Sequence, residues 1–407
     1  MRVAIVAGEP SGDLLGASLI RAVRSRWPDT EFYGIAGPRM MAEGAATLVP
    51  MDKLAVRGYA EVVKNLRELI AIRSGLVRGF LDDKPGLFIG VDAPDFNIGA
   101  RWLPGIEPRL KDAKIPVVHY VSPSIWAWRP NRLRWIGRSV DRVLALFPFE
   151  PAIYEKAGIP VDYVGHPLAD SMPMEPDRRE ARAQLRLGSS SPAVALLPGS
   201  RVSELELHAD LFIDTARELF ARRPEMRFVV PLATRETRDY FEQRLYAREA
   251  RELPITILFG HAQLALHAAD VALVKSGTAT LEAALARCPM VITYKLTPYS
   301  YRKARRTAQL PYVGLPNILA GEFIVPELLQ DEATPGNLAQ ALGNWLDNKT
   351  ARERLKRRFA AIHESLARDH EARIVESLAP YLGREAAAGG GQAAGFVANR
   401  YAAARGR

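Results

Sequence analysis

The sequence predicts an α/β protein made of two Rossmann-like halves, each with its own parallel sheet. Three observations carry this reading. Short apolar runs alternate with longer helix-patterned segments from the first residue onward, the signature of βαβ units. The 407 residues provide material for two or three domains. A proline-rich break, Asp-Ser-Met-Pro-Met-Glu-Pro at residues 170–176, divides the alternation into two series.

The first series places strands at residues 3–7, 32–36, 86–91, 116–121, 142–146 and 162–164, and the second at 194–197, 227–231, 255–258, 271–274 and 290–294. From about Asn337 to Leu382 the pattern is helical and dense in charge. The expected division is a first domain at 1–170, a second at 171–345, and C-terminal helices at 346–382 that pack back on the first domain or exchange in a dimer. A Gly-Ala-rich tail at 383–407 lacks a periodic core face and is expected to be disordered.

Composition narrows the class. With 48% hydrophobic and 25% charged residues the chain is globular, not collagenous, coiled-coil or disordered overall. Fifty-five Lys and Arg against 46 Asp and Glu give a formal charge of +9, which favours an anionic partner: nucleic acid, acidic lipid or a phosphorylated substrate. The single Cys288 allows neither an internal disulfide nor a cysteine metal cluster, so the cytosol is the expected compartment. The apolar start, Met1 to Ala7, is too short for a secretory signal, and no run approaches the roughly 18 apolar residues of a membrane span. Membrane contact, if made, is therefore expected to be peripheral.

Two parallel sheets facing each other set the carboxyl ends of their strands across a cleft, so the chemistry is expected in the loops that follow strands. The first, Gly8-Glu9-Pro10-Ser11-Gly12-Asp13, is a tight turn opening a helix near Leu14. Ser11 and Asp13 are site candidates there, with helix capping by Asp13 the alternative. No Gly-x-Gly-x-x-Gly follows a strand and no Walker lysine exists, so dinucleotide and P-loop readings lose their support. The second loop, Gly90-Val91-Asp92-Ala93-Pro94-Asp95-Phe96-Asn97, presents two carboxylates and an amide. Asp92 at the strand end is placed for general-base work, and one of Asp92 and Asp95 is expected to cap the next helix.

The third, His119-Tyr120-Val121-Ser122-Pro123-Ser124-Ile125-Trp126-Ala127-Trp128-Arg129, offers two tryptophans that either stack on a sugar or acyl chain or pack beneath a loop. Arg129, Arg132, Arg134, Arg138 and Arg142 follow as a basic helix. In the second half, Leu196-Leu197-Pro198-Gly199-Ser200-Arg201 leads into a helix near Glu204 and forms an anion-binding corner of amides, hydroxyl and guanidinium. Lys275-Ser276-Gly277-Thr278-Ala279-Thr280-Leu281-Glu282 repeats the device, with Glu282 one helical turn beyond Thr278. That spacing suits a diphosphate at the turn and ribose hydroxyls on the glutamate. Asn317, in Leu315-Pro316-Asn317, either orients a ligand or serves an ordinary turn.

Asp-x-Asp, His-Glu-x-x-His and paired cysteines are missing, and His119, His166, His208, His261, His267, His363 and His370 are scattered, so neither a metal nor a cofactor is expected. An enzyme that expels a nucleoside diphosphate without metal must stabilise the leaving charge with helix N-termini and arginine, while a carboxylate of the first half activates an acceptor hydroxyl. This is the logic of an inverting glycosyl transfer.

These blocks, together with Ala36-Gly37-Pro38-Arg39-Met40, resemble in order those of the lipid-A-disaccharide synthase family, over roughly residues 1–380. The resemblance implies a GT-B fold, UDP-2,3-diacylglucosamine as donor and 2,3-diacylglucosamine 1-phosphate as acceptor. The products are the β-1′,6 disaccharide 1-phosphate and UDP. By position it implies Asp92 as base, with Asp13 and Asp95 beside it. Ser200, Arg201, Ser276, Gly277, Thr278, Thr280, Glu282 and Asn317 fall at the donor, and Ser11, Asn97, Ser122 and Trp126 at the acceptor. It further implies a cytoplasmic enzyme peripheral to the inner membrane and a dimer that exchanges C-terminal segments. Lys275 stands where the family pattern leads one to expect a small residue.

The lipid substrate gives one reading of residues 56–81. Val56, Tyr59, Val63, Leu66, Ile70 and Val77 recur at helical spacing beside Arg57, Lys64, Arg67, Arg73 and Arg78, as in a helix lying on an anionic bilayer. The alternative is a helix packed on its own sheet. Two rival functions are a GT-B sugar-nucleotide 2-epimerase and a basic nucleic-acid-binding protein, the latter without a recognisable motif.

Overall fold

The computed structural model describes residues 1–54, 59–100, 103–128, 130–188 and 191–383, with the side chains at 59–65, 128, 130, 298, 299 and 303 left out. The expectations for Val56, Arg57, Arg129 and the tail from 384, and for the side chains of Tyr59, Val63, Lys64 and Trp128, lie outside the described residues. The described residues divide into two compact units, one of Met1–Pro167 together with the described residues from Ala367, the other of Leu168–Leu366.

The first unit holds strands β1 (Arg2–Ala7), β2 (Glu31–Ile35), β3 (Ala46–Thr47), β4 (Leu87–Val91), β5 (Val117–Tyr120), β6 (Arg142–Ala145) and β7 (Val161–Tyr163). They pair in parallel in the order β3-β2-β1-β4-β5-β6-β7. The second unit holds β8 (Ala193–Leu197), β9 (Arg227–Leu232), β10 (Ile255–Phe259), β11 (Val271–Lys275), β12 (Met290–Tyr294) and β13 (Glu327–Leu329), ordered β10-β9-β8-β11-β12-β13 and again parallel. Both sheets are doubly wound.

Helices on both faces explain why the strands read as continuous apolar runs. Val3, Ile5 and Ala7 enter one core cluster while Ala4 and Val6 enter the other, the two-residue alternation of a strand covered on both sides. The first cluster also takes Leu19 and Val23 from helix α1 (Pro10–Arg26) and Ile374, Leu378 and Leu382 from the C-terminal helix His370–Leu382. His370 anchors that helix, its Nε2 lying 2.7 Å from the Tyr120 hydroxyl and its Nδ1 3.0 Å from the Val164 carbonyl.

Two features differ from the sequence expectation, and a third bears on the two readings of residues 56–81. Strands β3 and β13, two and three residues long, carry too little pattern to be seen and exist because a sheet edge accepts them. Helix α1 begins at Pro10, not near Leu14, because proline at the first helical position supplies the required φ and lacks only an N–H that would have had no helical partner. In helix Tyr59–Asp83, Leu76, Val77 and Phe80 are buried in the first unit's core and Arg73 is also buried, so this half of the helix packs on its own sheet, while Leu66 is exposed.

Candidate active site

In a doubly wound sheet, ligands bind outside the carboxyl ends of the strands where the order reverses. In the first unit that point lies between β1 and β4, where the turns at Gly8 and Asp92 meet. A Cβ on Gly8 would lie 2.9 Å from that of Ala93, so only glycine permits the approach.

Asp92 and Ala93 both have left-handed backbones (φ 49° and 45°), and Val121, directly after β5, has φ 79°. Each such residue costs about 1–3 kcal/mol, the β-branched valine above all. The surroundings enforce the strain: Asp92 N–H donates to the Tyr120 carbonyl at 2.9 Å and Val121 N–H to the Leu144 carbonyl at 3.0 Å. The strain thus falls at the ends of two adjacent strands, β4 and β5. Burial pushes the Asp92 carboxyl above the usual range, His119 pulls it down, Glu9 adds to the rise and the Ala93 amide opposes it. A desolvated carboxylate at a strand end is better suited to take a proton than one in water.

The other expected residues of this unit separate by what their side chains touch. Neither Asp92 nor Asp95 caps the following helix Pro94–Asn97: its N-cap is Ala93, with no side-chain bond, and the exposed Asp95 instead pairs with Arg132. Asp13 does not cap its own helix either; its carboxylate accepts from the amides of Arg39 (3.0 Å) and Met40 (2.9 Å), tying α1 to the start of helix Pro38–Ala42. Asn97 is buried and donates to the carbonyls of Asp92 (2.9 Å) and Val6 (3.3 Å), bracing the Asp92 turn from below. Ser122 is buried against the Tyr154 hydroxyl at 2.8 Å. Trp126 donates from Nε1 to Glu150 at 3.1 Å and meets Phe147 and Phe149 edge-on. Ser11 lies exposed in the first turn of α1.

In the second unit the reversal lies between β8 and β11, and each strand runs into a glycine whose φ suits no other residue, Gly199 at 142° and Gly277 at 150°. Helices Val202–Arg222 and Thr278–Leu285 start from these turns. Ser200 and Arg201 are exposed at the first turn, Gly277 and Thr278 at the second. Ser276 donates from Oγ to the Val313 carbonyl at 2.9 Å. Burial pushes the Glu282 carboxyl above its usual range. Thr280 and Asn317 are fully buried. Thr280 donates to the Gly277 carbonyl, whereas Asn317 joins Val325, Ile324 and Glu327 through four hydrogen bonds of 2.8–3.0 Å, so both shape loops from inside.

Sequence reasoning missed Glu204. Its carboxylate accepts from the Ser200 amide at 2.9 Å and from Lys275 Nζ at 2.8 Å, bracing both turns. Burial pushes its carboxyl toward the protonated form, but Lys275, helped by the Ser200 amide and Arg201, outweighs it and holds the carboxyl below the usual range. The signal was available: Glu204 is the third residue of its helix, the acidic position of a capping box. Lys275, foreign to the expected pattern, is thus the partner of this glutamate. Glu327 plays a similar part, accepting from the amides of Val313 and Gly314, both at 2.9 Å. Among the described residues no group of three or more His, Cys, Asp or Glu side chains is placed to hold a metal, and no helix is long and apolar enough to cross a membrane.

The profile of the lipid-A-disaccharide synthetase family matches residues 3–378. A lipid-A-disaccharide synthase of Aromatoleum aromaticum is 56% identical over 383 residues, covering 94% of this chain and 96% of that one. Among solved structures, the calicheamicin glycosyltransferase CalG4 superposes with a TM-score of 0.58 at 14% identity, covering 95% of this chain and 99% of that one. A UDP-GlcNAc 2-epimerase from Neisseria meningitidis gives 0.60 at 14%, covering 93% and 100%. The two sheets and these likenesses make the fold that of the GT-B glycosyltransferases. Because a transferase and an epimerase fit equally well, the fold alone does not separate the two activities.

Proposed function

We propose a mechanism from one premise: this chain belongs to the lipid-A-disaccharide synthetase family and has lipid-A-disaccharide synthase activity. Its donor is UDP-2,3-diacylglucosamine, held by the second unit, and its acceptor 2,3-diacylglucosamine 1-phosphate, held by the first. The Asp92 carboxylate takes the proton of the acceptor's primary hydroxyl as that oxygen attacks the anomeric carbon of the donor. The bond from that carbon to the diphosphate breaks, its electron pair leaves with UDP, and one displacement inverts the configuration.

The second unit supports the leaving group. The helix starts after Gly199 and Gly277 direct partial positive charge at the turns, and Arg201 adds a full one. Glu282 suits the ribose hydroxyls, and the Glu204–Lys275 pair fixes the geometry of both turns.

The observation that carries the base assignment is the strained, desolvated Asp92 at the sheet's reversal point. Its test is Asp92→Asn, which keeps size and removes basicity: kcat should fall at least a hundredfold, the low end of general-base contributions, with UDP affinity unchanged. Comparable loss of UDP binding would refute the assignment. The lipid substrates, the charge of +9 and the exposed Leu66–Arg67 stretch also favour a peripheral location on the cytoplasmic face of the inner membrane, checked by flotation with anionic vesicles. A dimer exchanging helix His370–Leu382 would place the same Ile374, Leu378 and Leu382 face on a second copy's core, and sedimentation tests it.

A further inference from the structure

In the second unit, His208 joins two strand ends that the mechanism above does not connect. It lies in helix Val202–Arg222, which starts from the Ser200 turn after β8, and its side chain is buried. Its Nδ1 is 2.7 Å from the Glu204 carbonyl, one turn back on the same helix, and its Nε2 accepts at 3.0 Å from the backbone N–H of Lys295, directly after β12. The ring lies nearly parallel to that of Tyr294, with centroids 5.9 Å apart, and edge-on to Phe212. Lys275 Nζ stands 5.1 Å from the centre of the same Tyr294 ring while it pairs with the Glu204 carboxylate.

These contacts dictate the protonation of the imidazole. A carbonyl only accepts and a backbone amide only donates, so Nδ1 carries the proton and Nε2 offers its lone pair. A second proton, on Nε2, would set N–H against N–H and release Lys295. An apolar side chain of similar size would fill the space but leave the Lys295 amide without this acceptor. Burial disfavours the cation, as do Lys275 from β11 and Lys295 beyond β12, while Glu204 on its own helix favours it through carbonyl and carboxylate; the balance holds the imidazole below its usual range.

We propose that His208 is a positioning residue for the donor: its neutral imidazole pins the segment after β12 to the helix that begins at the Ser200 turn, and protonation at Nε2 unpins it. Strands β8, β11 and β12 are neighbours in the sheet. Arg201 follows the first, Lys275 ends the second and Lys295 follows the third, so each of three adjacent strand ends carries a cation at the side where a doubly wound sheet binds its ligand. The Glu204 carboxylate fixes the first two turns, and His208 fixes the third to the carbonyl of that same glutamate. The inference rests on the second unit holding the UDP donor.

The test compares the full chain with His208→Gln and His208→Asn in detergent, reading affinity and KM for UDP-2,3-diacylglucosamine, kcat and thermal unfolding. The glutamine keeps an acceptor within reach of the Lys295 N–H and does not titrate, whereas the shorter asparagine reaches only the Glu204 carbonyl. At neutral pH, His208→Asn should bind the donor about fivefold more weakly, the value of one hydrogen bond, with KM raised and kcat held, and His208→Gln should recover most of that loss. On acidification the wild type should lose donor affinity as the His208 imidazole, followed by its nitrogen NMR signals, takes up its second proton, while His208→Gln does not. If His208→Asn does not fold, the wild type and His208→Gln carry the test. A folded His208→Asn that binds the donor as tightly as the wild type overturns the pin, as does one pH curve shared by the wild type and His208→Gln through the titration of that imidazole. Arg201→Ala, measured alongside, separates the two levels: its unchanged donor affinity would overturn the donor site itself, and the pin with it.

Discussion

Glu150 ties the aromatic loop of the first unit to the pH of its surroundings. Its side chain is almost fully buried, yet it accepts hydrogen bonds from the amides of Leu146 (3.1 Å) and Phe147 (3.0 Å) and from Trp126 Nε1 (3.1 Å). Burial outweighs these donors and pushes the carboxyl up to about 7 from an ordinary 4.5. The folded protein therefore holds a proton that the unfolded chain has already released. The stability this contributes is fully present below about 4.5 and is lost as the pH rises through about 7. At 1.36 kcal/mol per pH unit the separation is worth about 3 kcal/mol, of which about 2 to 3 kcal/mol falls between pH 5 and pH 8. Glu150→Gln cannot ionise and lacks this dependence. Thermal unfolding of both proteins at the two pH values should show the wild type losing roughly 5–10 °C relative to the variant on going to pH 8. Parallel behaviour of the two proteins would refute the buried-proton reasoning, whatever the constant offset between them.

Further expectations follow from the same contacts. Gly90→Ala drives a methyl into the Glu107 carboxylate and should destabilise the first unit by about 1–3 kcal/mol, read as a lower urea midpoint at unchanged slope. Arg201→Ala should weaken UDP-sugar binding about tenfold in calorimetry, the value of one charge-assisted contact, and unchanged affinity would remove Arg201 from the donor site. Glu204→Ala frees Lys275 and the Ser200 amide together, so it should weaken UDP binding through a disordered turn, whereas unaltered or tighter binding would show that the brace is not needed.

The sheets were legible because apolar strands buried on two faces announce themselves locally, as residues 3–7 and 271–274 do. The short edges were not, since Ala46–Thr47 gains its strand character from β2 alone. The site was legible as a set of loops but not as a set of contacts. A small polar residue beside a turn looks the same whether it meets a ligand or a backbone, and Asp13, Asn97, Thr280 and Asn317 prove to hold backbone. What distinguishes them is long-range: Asp13 meets an amide 27 residues away, and Glu204 meets Lys275 at a distance of 71 residues in sequence. His119 was read as one of seven scattered histidines because its partner Glu107 sits on a separate helix, at a spacing that belongs to no motif.

The central claim is that this chain joins the two lipids by one inverting displacement with Asp92 as base. Its most direct measurement is mass spectrometry with anomeric analysis of the product formed from UDP-2,3-diacylglucosamine and 2,3-diacylglucosamine 1-phosphate in detergent, by the wild type and by Asp92→Asn side by side. The account predicts β-linked disaccharide 1-phosphate and an equal amount of UDP from the wild type, and neither from a folded Asp92→Asn that still binds UDP. Retained configuration, or the same product at the same rate from the variant, would contradict it.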